Sequence, residues 1–161
     1  MVLIRKGDDN IKTYYINNET LVIIPISSKT TRIIEKNQEI IDNNSSMKII
    51  DYNCKINGSS YIGRYESAKL LLEKKSKLPI IIEEKNDIIY IPTNSIRNDE
   101  CCWISYNNIV NYYKNDKKVT IVFENNKKVD LNISYNIFEK QINKVVKLLA
   151  IKKMNNFYIK S

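Results

Sequence analysis

The segment at residues 54–64, CKINGSSYIGR, is the part of this chain best suited to contact another molecule. It contains two of the chain's three glycines and one of its four arginines. Glycine is favoured where the backbone turns through positive φ or approaches another surface closely, and Gly58 and Gly63 suit either role. Arg64 places a positive charge at the exit. An ordinary serine-capped turn that leads into a helix explains the same residues.

A run of lysines follows this segment on a predicted helix. In YESAKLLLEKKSK, apolar residues recur at spacings of three and four, and no breaker precedes Pro79. The lysines gather toward the end of the helix, where the helix dipole favours them. An anion-binding face fits equally well, because Lys55 and Arg64 add positive charge at the other end. The lysines concerned are Lys69, Lys74, Lys75 and Lys77.

The composition argues against catalysis. The chain has no histidine, so the commonest general base and metal ligand is absent. No nucleotide-binding motif or carboxylate pair at ligand spacing is present. Asp99 and Glu100 stand beside Cys101, which would raise the pKa of that thiol and weaken it as a nucleophile. We therefore predict no catalytic residues, no cofactor and no metal, and expect thiols that are packed or idle; the alternative is an enzyme that uses Cys101 or Cys102.

Length and hydropathy predict one domain in the cytoplasm. The chain has 161 residues and is 43% hydrophobic, which is enough to bury a core. No apolar run approaches the roughly eighteen residues that cross a bilayer. The N-terminus, with Arg5, Lys6, Asp8 and Asp9, lacks a signal-peptide core. Three cysteines cannot form a disulfide framework. We expect no membrane partner.

The charge balance favours a polyanionic partner. The chain has 26 basic and 18 acidic residues, a formal net charge of +8. The excess is evenly distributed, since residues 1–80 hold 13 of the 26 basic and 9 of the 18 acidic residues. A positive surface would thus be assembled by the fold and not by a tail. The charge alone does not distinguish nucleic acid, an anionic membrane and an acidic protein as partners, and an A·T-rich genome would also enrich lysine.

The first half of the chain predicts short hairpins and a brief helix. Residues 13–16 and 21–26 look like a hairpin across Asn17 and Asn18, and residues 31–34 and 39–41 look like a second hairpin across Lys36 and Asn37. The stretch MKIIDYNCKI predicts one or two helical turns. We divide the single domain, 1–161, into a β-rich N-terminal lobe at 1–44 and a main body at 45–161.

The second half predicts a sheet closed by a helix. Residues 79–82 and 88–91 form a hairpin pattern. A strand is predicted to begin at Trp103 and to continue through Tyr113, and residues 119–133 alternate around a turn at Asn125 and Asn126. Ser134 caps an amphipathic helix. Its apolar positions are Phe138, Ile142, Val145 and Leu149, and an adjoining face holds Lys140, Lys144 and Lys147.

The predicted fold class is α+β. It consists of an antiparallel sheet of short hairpins, a central helix, and a C-terminal amphipathic helix packed on the sheet. This arrangement also resembles pleckstrin-homology-like domains, whose basic mouths bind acidic headgroups or peptides. A non-enzymatic interaction module of that kind is the alternative function.

Several blocks, taken together, resemble the ComK family of competence transcription factors from Gram-positive bacteria. They span about residues 49–148, in the order GSSYIGR, KLPIII, IPTNS, CCWIS, F-x-N-x-K and ISYNIFEKQ. The resemblance implies a sequence-specific DNA-binding activator of DNA-uptake genes. It implies recognition of paired A/T-rich boxes through the minor groove, dimers that assemble into a tetramer, and contact with RNA polymerase.

Within this resemblance we expect the glycine turn to be the main DNA surface. Backbone amides near Gly58 and Gly63 would hold phosphate oxygens, and Arg64 would enter the minor groove. Residues 29–32 are secondary candidates, as is Arg97. The predicted DNA-binding residues are Lys55, Gly58, Ser59, Ser60, Gly63, Arg64, Lys69, Lys77 and Arg97.

Aromatic residues and the C-terminus complete these expectations. Trp103, Tyr106, Tyr135 and Phe138 are expected in the core or between subunits rather than stacked on bases. Longer family members continue with a segment that an adaptor protein delivers to a protease. This chain ends soon after Tyr158, which puts an adaptor–protease partner in doubt.

Overall fold

The computed structural model describes residues 2–4 and 12–160, with side chains for 12–156. The prediction that the N-terminus lacks a signal-peptide core concerns Arg5, Lys6, Asp8 and Asp9, which lie outside the described residues. The elements, in chain order, are β1 (Val2–Ile4), β2 (Thr20–Ser27), β3 (Thr30–Glu35), β4 (Glu39–Asp42), α1 (Ser46–Ile56), α2 (Tyr61–Leu72), β5 (Ile80–Glu83), β6 (Ile88–Pro92), β7 (Trp103–Ser105), a 3-10 turn (Tyr106–Asn108), β8 (Ile109–Asn115), β9 (Lys118–Phe123), β10 (Lys128–Leu131) and α3 (Tyr135–Lys160).

The larger sheet has seven strands in the order β1-β4-β3-β2-β7-β6-β5. Its neighbours pair antiparallel, except that β1 runs parallel to β4. The predicted hairpins at 31–41 and 79–91 are confirmed as β3–β4 and β5–β6. Because β2 pairs with β7, residues 1–44 and 45–161 share one sheet. A separate role for residues 1–44 stays a prediction.

The predicted hairpin at 13–16 and 21–26 does not form. Residues 12–17 have no regular structure, and β2 pairs with β3 instead. A distant side chain satisfies this backbone: Asn53 Oδ1 accepts from Ile16 N at 2.9 Å, and Asn53 Nδ2 donates to Tyr14 O at 2.9 Å. The buried Tyr14 hydroxyl donates to Glu35 Oε1 at 2.7 Å. The segment therefore needs no strand partner.

Three other boundaries differ from the sequence-based expectation. Helix α2 ends at Leu72 and does not include Lys74, Lys75 and Lys77, because Glu73 turns into the left-handed region. Helix α1 spans eleven residues, longer than the predicted one or two turns, because Ile49, Ile50 and Cys54 all pack into the core. The strand from Trp103 stops at Ser105 and does not continue to Tyr113. The buried Asn108 ends it, since its side-chain amide donates to Ser105 Oγ and Thr20 O. The chain then enters a second sheet.

The second sheet and α3 follow the predicted pattern. The order β10-β9-β8 is antiparallel, and Asn126 adopts a left-handed φ of 64° at the turn of the predicted hairpin. Ser134 Oγ accepts from Ile137 N and begins α3. Phe138 and Val145 are fully buried. The α+β class, with a C-terminal helix packed on a sheet, is confirmed; a pleckstrin-homology-like arrangement stays a prediction.

No helix in the described part of the chain has the length and apolar character needed to cross a bilayer.

Candidate nucleic-acid interface

The glycine segment is a capped turn between α1 and α2. Gly58 has a φ of +98°, and its amide donates to Lys55 O at 3.1 Å. Ser60 is the N-cap of α2, and its Oγ accepts from Gly63 N at 3.0 Å. Gly63 thus lies inside the first helical turn, where a Cβ would collide with the Ser59 hydroxyl. The serine-capped alternative is confirmed, and the amides of both glycines already have partners within the chain.

The side chain of Arg64 forms hydrogen bonds within the protein. It is only 12% exposed. Nη1 donates to Glu84 Oε1 at 2.8 Å, and Nη2 donates to Asn57 O at 3.1 Å. Arg64 therefore ties the end of α1 to the β5–β6 turn, and little of its guanidinium faces solvent.

Two further predicted cations are also paired with acids. Lys55 Nζ lies 2.7 Å from Asp51 Oδ2, and Lys69 Nζ lies 3.8 Å from Glu66 Oε2. The positive charges of Lys55, before α2, and of Lys69, in its last turn, are therefore largely balanced. A phosphate there would have to displace a carboxylate.

Replacing Arg64 by alanine should cost stability and leave the salt dependence of DNA binding unchanged. The loss of two hydrogen bonds made by a charged, mostly buried group should lower the free energy of unfolding by about 1–3 kcal/mol. Urea unfolding and a salt titration of DNA affinity measure the two effects. Arg97, which is exposed, is the matched arginine for the unfolding experiment. A salt slope shallower by about one in Arg64→Ala would instead place Arg64 on a phosphate.

Unpaired lysines follow the C-terminal end of α2, in a segment that we term the lysine loop, residues 73–78. Glu73 and Lys77 adopt left-handed φ values of 54° and 52°, which reverse the chain between α2 and β5. Lys74 and Lys75 are exposed and Lys77 is half-buried. None of the three forms an ion pair within residues 12–156.

Helix α3 holds the lysine loop in place. Gln141 is 2% exposed, and its Nε2 donates to Lys77 O at 2.8 Å and to Pro92 O at 3.0 Å. Lys144 Nζ donates to Ser76 O at 3.1 Å and to Lys77 O at 3.2 Å. Burial, and then the charges of Lys77 and Lys74, lower the pKa of Lys144. The loop is thus fixed in a place where cations repel one another and an anion would be stabilised.

A groove of about 530 Å³ opens beside the lysine loop. Its lining includes Tyr61, Tyr65, Lys77 and Arg97. Tyr65 donates its hydroxyl to Lys75 O at 2.7 Å, which joins α2 to the loop. Of the nine predicted DNA-binding residues, all within the described part of the chain, Lys77 and Arg97 line this groove. The structure therefore brings these two together from separate loops.

The exposed face of α3 continues this positive surface. Lys140 and Lys147 are exposed, and Asn136 and Asn143 share their face at spacings of four, three and four. The sequence pattern identified the lysines but missed Gln141, which positions the loop. A polar residue three positions after Phe138, within the apolar stripe of the helix, is the signal that could have identified it.

Two of the four aromatic residues that were expected in the core or between subunits lie in the core. Trp103 and Phe138 are fully buried, and Tyr106 and Tyr135 are half-buried. Tyr135 stacks at a tilt on Tyr112, with ring centroids 5.5 Å apart.

The thiols are unsuited to nucleophilic chemistry. Burial raises the pKa of Cys54 to about 12, and burial followed by the neighbouring Cys101 and Glu100 raises that of Cys102 to about 11. Burial also raises the pKa of Cys101. For Cys101 the predicted direction is right, but the predicted cause is wrong, because burial and not the neighbouring carboxylates raises the pKa. Within the described residues, no cluster of three or more cysteines and carboxylates could hold a metal.

Alkylation should therefore be slow in the native protein. At about pH 8, a thiol with the raised pKa of Cys102 is about a hundredfold less ionised than a free cysteine. Iodoacetamide labelling, followed by mass spectrometry with and without urea, should show a difference of that order. Rapid labelling of the folded protein would contradict the burial of these thiols.

Comparison with known proteins gives the family. The family model described as ComK protein matches residues 11–156. The competence transcription factor of Bacillus subtilis (strain 168) is 32% identical over 142 residues, which cover 86% of this chain and 74% of that protein. No solved structure matches significantly. The family match includes β2, β3 and β4, which the sequence blocks left out. This chain therefore belongs to the ComK family and is a competence transcription regulator.

Proposed function

We propose that this regulator activates competence genes by binding A/T-rich boxes of DNA through one basic surface. That surface consists of the lysine loop, Arg97, and Lys140 and Lys147 of α3. The observation that carries the proposal is the fixed lysine loop, whose cations are exposed or half-buried and have no carboxylate partners within the described residues. The phosphates of a DNA backbone would supply the anionic partners of this cluster.

The chemistry of these groups fits a duplex. Lysines that meet phosphates release condensed counterions, which supplies affinity without sequence preference. Arg97 is exposed at the groove beside the loop. A guanidinium there suits a narrow A·T minor groove, where the negative potential is enhanced. Sequence preference would then come from groove width and deformability.

The predicted residues of the α1–α2 turn remain in the proposal as secondary contacts. Lys55 and Lys69 can contribute only where a phosphate replaces their paired carboxylates. The other secondary contacts are Gly58, Ser59, Ser60 and Gly63, whereas Arg64, which is held by Glu84 and Asn57, meets no phosphate in this proposal. Their main role is to hold α2, and hence the lysine loop, against the sheet.

The proposal extends to partners. Paired boxes require a homo-oligomer, either a dimer or a tetramer, and activation requires contact with RNA polymerase. Such a regulator acts in the cytoplasm, where the bacterial chromosome lies. It needs neither cofactor nor catalysis.

Fluorescence anisotropy with a labelled A/T-box duplex and two competitors tests the proposal. The protein should bind a labelled A/T-box duplex at least a hundredfold more tightly than a G·C duplex of equal length at about 0.15 M salt. It should bind phosphatidylserine vesicles more weakly than either duplex. Tighter binding to the vesicles would favour an acidic-headgroup module, and equal binding to both duplexes would remove the sequence preference.

A further inference from the structure

The β8–β9 hairpin carries a second group of unpaired cations. Its turn lies at Asp116, which has a left-handed φ of 54°, and Lys117. Lys114, Lys117 and Lys118 are all exposed. None of these lysines forms an ion pair within residues 12–156. The tip thus has three lysines and one acid.

Side-chain contacts join the outer face of this hairpin to β10. Asn115 Nδ2 donates to Thr120 Oγ1 at 3.1 Å, and Thr120 Oγ1 donates to Asp130 Oδ1 at 2.6 Å. Lys128 Nζ lies 5.9 Å from the centre of the Tyr113 ring. Polar and basic groups therefore cover this face in a fixed arrangement.

Aromatic packing fixes the hairpin against α3. The Tyr112 ring meets Phe138 edge-on at 5.0 Å and Tyr135 at 5.5 Å. At the tip, Lys114 and Lys117 share a cavity of about 270 Å³ with Asn136. The hairpin tip therefore lies beside the first turn of α3.

The hairpin and the lysine loop pack against adjacent parts of α3. The hairpin packs at Tyr135 and the loop at Lys144, nine positions along the helix. Tyr112 also packs on Phe138, and Gln141 also holds the loop. Phe138 and Gln141 are three residues apart, or roughly 60° around the axis at about 100° per residue. The exposed Lys140 and Lys147 lie on the solvent face of the same helix.

We propose that the β8–β9 hairpin is a second DNA-contacting element, and that it holds the phosphate backbone across a groove from the lysine loop. This inference rests on the proposed function and adds the second contact. The hairpin packs at the first turn of α3 and the lysine loop packs further along the same helix, so one duplex lying along α3 can contact both cationic groups. The face of α3 then lies along the groove between them.

The test is a pair of lysine replacements at the hairpin tip. The variant K114A/K117A should make the slope of log affinity against log salt shallower by about two, and should weaken binding roughly 30-fold at about 0.15 M salt. Both side chains are exposed, so urea unfolding should not change. The charge-preserving variant K114R/K117R should bind like wild type.

Hydroxyl-radical footprinting gives a second readout. Wild type should protect two backbone stretches facing one another across a groove, and K114A/K117A should lose one of them. An unchanged salt slope or footprint in that variant would overturn the hairpin contact while leaving DNA binding by the lysine loop intact. Absence of duplex binding by wild type would instead remove the proposed function.

Discussion

Replacing Lys74 and Lys75 together by alanine should weaken binding to an A/T-box duplex roughly 30-fold at about 0.15 M salt, with a salt slope shallower by about two. Each lost phosphate contact removes about 0.9 from the slope, and two such losses give this factor. Both lysines are exposed and lack a carboxylate partner within the described residues. Gln141 and Lys144 keep the loop in position. Fluorescence anisotropy from about 0.05 to 0.3 M salt measures the change.

The matched control removes two lysines elsewhere. Lys12 and Lys48 are exposed and unpaired within residues 12–156, so K12A/K48A lowers the net charge equally. We expect its affinity to stay within about twofold of wild type, since distant surface charges are screened. An equal loss in both variants would mean that net charge, and not the lysine loop, governs binding.

Replacing Phe138 by alanine should lower the free energy of unfolding by about 3–5 kcal/mol. The ring is fully buried and packs edge-on against Tyr112 at 5.0 Å. It fixes α3 to the second sheet, and the neighbouring Leu131 and Ile133 belong to the same core cluster. Small domains are stable by only about 5–15 kcal/mol, so this single change removes a large share. Urea unfolding followed by circular dichroism measures it.

Phe138→Leu is the conservative comparison. Leucine keeps most of the apolar volume, so we expect it to cost less than half as much as alanine. Because α3 also holds the lysine loop and the hairpin, DNA binding should disappear at the same urea concentration as the helix signal. A loss below about 1 kcal/mol in Phe138→Ala would show that this part of the core does not depend on the ring.

Local periodicity predicted the elements whose partners are close in sequence. The hairpins at β5–β6 and β9–β10 and the start of α3 were predicted because alternating apolar residues and turn residues identify them. The prediction of a strand at residues 13–16 was wrong because the side chain of Asn53, about forty residues away, forms hydrogen bonds with the backbone of this segment. No local pattern signals such a contact.

The site was predicted less well than the fold, for a related reason. The type of Arg64 suggested a DNA contact, yet its exposure depends on Glu84, twenty residues later. Lys74 and Lys75 were read equally well as helix electrostatics or an anion-binding face, and their position depends on Gln141 across the fold. Charge in a sequence shows that a basic surface exists. Only the tertiary pairing with acids shows which cations remain available.

A binding titration with inosine·cytosine pairs in place of the A·T pairs of the box tests the central claim most directly. Inosine·cytosine keeps an A·T-like minor groove and changes the pattern of donors and acceptors in the major groove. The minor-groove account predicts that affinity stays within about threefold of the A·T duplex, whereas a G·C duplex binds far more weakly. A fall to the G·C level on the inosine duplex would contradict it and place recognition in the major groove.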